Sequence, residues 1–131
     1  MLGRYKHQMY VPKPEGHWIL TQWKNKTCVS PTQDLVNEYL NHPTDAAWAK
    51  YEKTYRGILE ERFAADRKPF DELARLAREG DVHLGCSCPT KDNPNPEHCH
   101  TALAQQFMKE KYPDLEVDFT VVVLKKPAAR R

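Results

Sequence analysis

Cys86, Cys88, Cys99 and His100 fall within one short stretch of the chain, with His98 beside them. They arrive as Cys86-Ser87-Cys88-Pro89, then a proline- and asparagine-rich loop from Thr90 to Pro96, then His98-Cys99-His100. Thiolates and imidazoles suit zinc, and Cys86, Cys88 and Cys99 with His98 or His100 could complete four ligands. Cys-x-Cys is a less common structural-zinc spacing than Cys-x₂-Cys, and no second Cys-x₂-Cys knuckle is present. A reactive thiol is the second use of the same residues. Cys99 near a helix start would have its thiolate favoured by the helix dipole and by a neighbouring imidazolium, with His100 as base. The third alternative is no chemistry, because cysteine is among the most readily buried residue types. On residue types and spacing alone all three stand.

A second set of candidates could bind a ligand rather than transform it. Lys24 and Lys26, in the loop after a strand, could reach a phosphate, with Trp23 next to them. His42, before Pro43, reads as a helix-terminal cap or a site residue. Trp18, Trp23 and Trp48 could stack on a base, but tryptophans at strand and helix positions are expected to fill the core. Cys28 is expected to be a buried thiol. There is no Gly-rich phosphate loop, no dinucleotide-binding fingerprint and no His-Glu-x-x-His.

The elements that must position these residues can be read from periodicity. Arg4 to Val11 predicts a first strand and His17 to Trp23 a second, rich in aromatic and β-branched residues. Ser30-Pro31-Thr32-Gln33 has the form of a helix start, with Ser30 as the cap and Pro31 in the first turn. A long helix follows Thr44 or Asp45, with Trp48, Tyr51, Tyr55, Ile58, Leu59 and Phe63 at three- and four-residue spacing. A further helix spans 69–79 and stops at Gly80. Asp81 to Cys86 predicts a strand, with an extension to Cys88 as the alternative, where alternation would set Cys86 and Cys88 on one face. The next helix begins near Cys99, capped early by Asn95-Pro96 or later by Thr101, and runs to about Lys111. Leu115 to Leu124 makes the last strand.

Helices between strands imply an α/β domain with a mostly parallel sheet of four to five strands, flanked by helices. In such sheets ligands bind beyond the carboxyl ends of the strands, where helix N-termini favour anions. The cysteines sit at that edge, so a small anionic, nucleotide-like ligand is one expectation.

At 131 residues, 40% hydrophobic and 29% charged, the chain has the make-up of one water-soluble domain, expected over 1–124. No apolar run nears the ~20 residues that cross a bilayer, and Met1 to Tyr10 lacks the apolar stretch of a signal peptide. With a thiol cluster unlike a secreted disulfide scaffold, the expectation is a cytoplasmic protein. A net charge of +2 is too small to predict nucleic-acid binding. The basic stretch 125–131 reads as a solvated tail, with phosphate contact as its alternative. The oligomeric state is left open.

Tyr10-Val11-Pro12 through Gly16, then Trp18-Ile19-Leu20 and Trp23, resemble the opening of the YeaO-like proteins, small α/β domains of unknown function. His42-Pro43 with Trp48, Tyr51 and Tyr55 resembles that family's His-Asp-Pro…Trp…Phe…Tyr segment. The family's Trp-Pro-Arg-Gly turn is here Trp23-Lys24-Asn25-Lys26, so its arginine has no clear counterpart. The Cys86, Cys88, Cys99 and His100 pattern is instead similar to sister families carrying Cys-x-Cys or a single Cys ahead of a Cys-His pair. The resemblance implies the fold and the site's location but no reaction.

Overall fold

The computed structural model describes residues 1–125. The predicted basic tail therefore lies, apart from Lys125, outside the described residues. Four strands form one all-parallel sheet: β1 (Leu2–Lys6), β2 (His17–Leu20), β3 (Val82–Cys86) and β4 (Val117–Val122). Their order is β2-β3-β1-β4. β1 and β3 run in register from Leu2 opposite Val82 to Lys6 opposite Cys86. The cysteine pair is thereby fixed at the carboxyl edge by the longest pairing in the sheet. Four helices accompany it: α1 (Gln33–Asn41), α2 (Asp45–Ala65), α3 (Lys68–Glu79) and α4 (His100–Lys111). Among the described residues no helix is long and apolar enough to cross a membrane.

Alternation along the strands divides the sheet into two faces. Leu2, Val82 and Leu84 join the helices in one core with Leu35, Tyr55, Leu59, Phe70, Leu103, Phe107 and Met108. The other face carries Tyr5 and His83, each lying over a glycine of the neighbouring strand. A Cβ at Gly85 would come within 2.5 Å of the Tyr5 ring, and one at Gly3 within 2.8 Å of His83. Both glycines are there because the rings need the space.

The long helix follows its sequence pattern closely. Thr44 caps it by accepting from the Ala47 N–H at 3.1 Å, and Trp48, Tyr51, Tyr55 and Leu59 form its buried stripe. Buried residues surround the first half of α4, as expected of a helix enclosed by other elements on most sides. Arg4, only 2% exposed, ties the segment before α4 to the sheet. Its guanidinium donates to the carbonyls of Phe119 (2.8 Å) and Pro96 (2.6 Å), and Glu97 lies 3.5 Å away. A buried cation with such partners anchors the loop that delivers Cys99 to the site.

Several local expectations are corrected. β1 covers Leu2–Lys6 rather than Arg4 to Val11: the chain leaves the sheet after Lys6 and turns through Tyr10, whose φ is 63°. Residues 7–16 must cross to the start of β2, beyond β3, so they cannot extend the strand. β2 ends at Leu20, and Trp23–Asn25 forms a 3-10 turn instead of finishing a strand and opening a loop. The cap of α1 is Thr32, accepting from Leu35 N–H at 3.2 Å, because Ser30 is already bonded to Thr27. Cys99 itself is the N-cap residue of α4, after the expected early cap at Asn95-Pro96 and before the late one at Thr101. Trp18 and Trp23 do not fill the core: they are 43% and 38% exposed, one on an edge strand and one on the 3-10 turn. Only Trp48 is buried as expected.

Candidate functional site

The carboxyl edge of β3 delivers Cys86, and the next two residues carry the chain out of the strand to Cys88. Cys99 returns at the start of α4. The three sulfur atoms all lie within 4.8 Å of one another. Cys28 stands elsewhere, and none of the four cysteines forms a disulfide. Cys28 is partly buried rather than fully enclosed as expected, at the edge of a separate hollow, and burial raises its thiol to about 11.

The sulfurs form part of the wall of a cavity of about 320 Å³. Its aromatic walls come from Trp23, Tyr39, Trp48 and Tyr51, and its polar edge from Gln22, Ser87, Asn93 and His98. The aromatic rings are locked together: Trp48 stacks on Tyr51 at 4.9 Å and on His98 at 4.8 Å, and Tyr39 meets Trp48 edge-on at 5.3 Å. Such pairs hold ring orientation as well as burying area.

A polar network fixes the loop between β3 and α4. Asn93 donates through Nδ2 to the His98 carbonyl (2.7 Å) and to Cys88 Sγ (3.4 Å). Tyr39 donates its hydroxyl proton to Asn93 Oδ1 at 3.1 Å, and its oxygen then accepts from His98 Nδ1 at 3.2 Å. Gln22 Nε2 donates to Ser87 Oγ at 2.6 Å. Thr21 sets the tautomer of His100. Its hydroxyl donates to the Gly85 carbonyl (2.9 Å), so it accepts from His100 Nε2–H at 2.8 Å. Nδ1 of the neutral ring is left with its lone pair, 4.0 Å from Cys99 Sγ. Burial lowers the His100 pKa to about 4, which keeps it neutral.

The electrostatics of the sulfurs are those of one thiolate shared with two thiols. Hydrogen bonds from Cys86 and then Cys99 pull Cys88 well below the usual thiol range, against the effect of burial. Cys86 shifts the opposite way, through its bonds to Cys88 and Cys99 and through burial. Tyr51 is raised, first by burial and then by electrostatic coupling to Tyr55 and the three cysteines.

Of the residues expected from sequence, Cys86, Cys88, Cys99, His98, His100, Trp23 and Lys24 all line this cavity. His100 approaches Cys99 but does not join the three-sulfur set. Lys26 and His42 stand outside the cavity: Lys26 borders a separate hollow beside Arg62, and exposed His42 ends α1 through its backbone. The sequence reading missed Thr21, Gln22, Asn93, Tyr39 and Tyr51 as site residues. Their only signal was position after a strand, in a loop, or on an apolar helix face, which ordinary structural residues share.

Residues 4–112 match the family DUF488-N3a, described as the active DUF488-N3 subclade. The chain belongs to that family. No curated protein and no solved structure matches it. The DUF488-N3a match runs from β1 to just past α4 and so includes every cavity residue named above.

Proposed function

We propose that the chain holds a soft divalent metal, zinc by preference, on Cys86, Cys88 and Cys99, and offers the metal's open position to a small molecule in the aromatic cavity. On this reading the protein is a metal-dependent enzyme. The convergence of three sulfurs within 4.8 Å at a cavity wall carries the proposal. Zinc–sulfur bonds of about 2.3 Å in a tetrahedral site set sulfurs about 3.8 Å apart, so small side-chain adjustments close the set on an ion. Structural zinc sites are closed by four protein ligands, whereas catalytic ones keep three and leave a position free. The α4 N-terminus, where Cys99 is the cap residue, favours the negative charge that three thiolates bring. The word active in the description of the DUF488-N3 subclade is in keeping with a working site.

A second reading has its own observation. His100 Nδ1 faces Cys99 with a free lone pair, and its opposite nitrogen is oriented by Thr21 as metal-binding imidazoles are. Should it ligate, the site closes and the domain becomes a non-catalytic module stabilised by metal. Kinship with the YeaO-like proteins, and with the sister families that share the Cys-x-Cys…Cys-His order, is the finer family reading we favour. A cytoplasmic setting suits it, since a reducing compartment keeps clustered thiols available to a metal.

Elemental analysis of the purified, dialysed protein tests the proposal. About one zinc per chain is expected, and its removal by a chelator is expected to lower the melting temperature. Metal-free protein in which Cys88 alkylates fastest near neutral pH would replace the metal reading with a thiolate one.

A further inference from the structure

Three tyrosines crowd the wall of the cavity or the core just behind it, and two have their hydroxyls accounted for. Tyr39 bonds Asn93 and His98, and Tyr55 donates to the Val29 carbonyl at 2.7 Å. Tyr51 is different. It is only 5% exposed, lines the cavity with the three cysteines, and its hydroxyl has no hydrogen-bond partner among the described residues. Its ring cannot swing away to find one. Trp48 stacks on it at 4.9 Å and 15°, Tyr55 at 6.0 Å and 24°, and Tyr39 packs against it at 5.7 Å. The oxygen itself is open to the cavity and is not among the fully enclosed polar atoms, so a rigid hydroxyl at the wall without a protein partner is placed to donate to whatever ligand fills the space.

The chemistry of the surroundings narrows that ligand. Three thiolates and one divalent ion leave a net charge of −1, and Lys24 is the only lysine or arginine among the residues lining the cavity. Such a floor repels phosphate and favours an uncharged molecule. A sulfur-ligated metal prefers a soft fourth donor. Stacked aromatic walls favour a flat ring. We propose that the cavity binds a flat, uncharged heterocycle through a soft donor atom on the metal, and that the Tyr51 hydroxyl donates a hydrogen bond to that ligand. This rests on the metal reading above, but it replaces the anionic ligand expected from sequence with an uncharged one and adds a specific binding residue.

The probe is 4-thiouracil, a flat ring with a thiocarbonyl sulfur for the metal, a carbonyl oxygen free to accept from Tyr51 and a strong near-ultraviolet band, titrated into zinc-loaded protein. Wild type is expected to bind one equivalent, with inorganic phosphate unable to displace it. Tyr51→Phe keeps the ring stack and is expected to retain zinc and its melting temperature while binding the probe about tenfold more weakly, the loss of one hydrogen bond. Unchanged affinity in Tyr51→Phe would overturn the role of the hydroxyl. Loss of zinc or of folding in that variant would make the hydroxyl structural and overturn it equally. Zinc-loaded wild type that ignores the probe, or releases it to phosphate, would overturn the ligand class and leave the metal reading intact. Wild type that holds no zinc would overturn both.

Discussion

Cys99→Ser is expected to lose the metal and keep the fold. Cys99 is 4% exposed, and its sulfur is one of three that converge, so oxygen in its place removes a soft ligand from the centre of the set. Structural zinc sites are worth about 10–16 kcal/mol, so one thiolate of the set is worth about 3–5 kcal/mol, or on the order of 10²–10⁴-fold in affinity. The substitution is gentle elsewhere. Cys99 is the N-cap residue of α4 with extended backbone and makes no side-chain cap, and serine is among the best residues at that position. Helix content should therefore hold while zinc affinity, measured by competition with a chromogenic chelator, collapses. Cys28→Ser, away from the cluster, serves as the control and should keep wild-type affinity. Retention of tight zinc by Cys99→Ser would remove Cys99 from the ligand set.

Phe107→Ala should produce the largest loss of stability. Phe107 is fully buried on α4, set edge-on to Phe63 at 5.8 Å and tilted against Phe70 at 5.6 Å. Deleting a buried phenyl ring costs about 3–5 kcal/mol, from lost burial and from the cavity left behind. Domains of this kind are stable by about 5–15 kcal/mol in all, so the variant gives up a large part of its margin. The denaturation midpoint should fall with little change in the slope of the transition, and the melting temperature by about 10–20 °C. The consequence reaches the site because α4 carries Cys99 and His100 at its first turn. Weaker docking of α4 loosens one of the three sulfurs. A loss below about 1 kcal/mol would mean that Phe63 and Phe70 repack to fill the space.

The sequence was most legible where one periodicity governed a long element. Thr44 as cap and the Trp48, Tyr51, Tyr55, Leu59 stripe predicted α2 closely, because tertiary packing and local preference agree there. The four parallel strands followed from the alternation of helical and strand patterns. Boundaries were lost where neighbours rather than local preference decide. Gln8 to Val11 has the composition of a strand, yet the path to β2 takes it out of the sheet. Ser30 and Thr32 are equally good caps on paper, and a bond from Ser30 to Thr27 settles the choice.

The site was half visible. Cysteines and histidines are rare enough to stand out, and the carboxyl edge of a parallel sheet is where such folds bind ligands. The walls were not visible, since a tyrosine facing a cavity and one facing the core occupy the same helical phase. Tyr51 and Tyr55 are one turn apart on one stripe, yet Tyr55 finds the Val29 carbonyl while Tyr51 lines the cavity and finds no acceptor among the described residues. Lys26 and His42 were drawn in by adjacency in sequence. The 3-10 turn and the end of α1 carry them to other surfaces.

Zinc K-edge X-ray absorption on the loaded protein measures the coordination itself. Three sulfur neighbours at about 2.3 Å with one lighter atom are predicted. A shell of nitrogen and oxygen alone would mean that these cysteines are not what holds the metal, and the functional reading would fall with them.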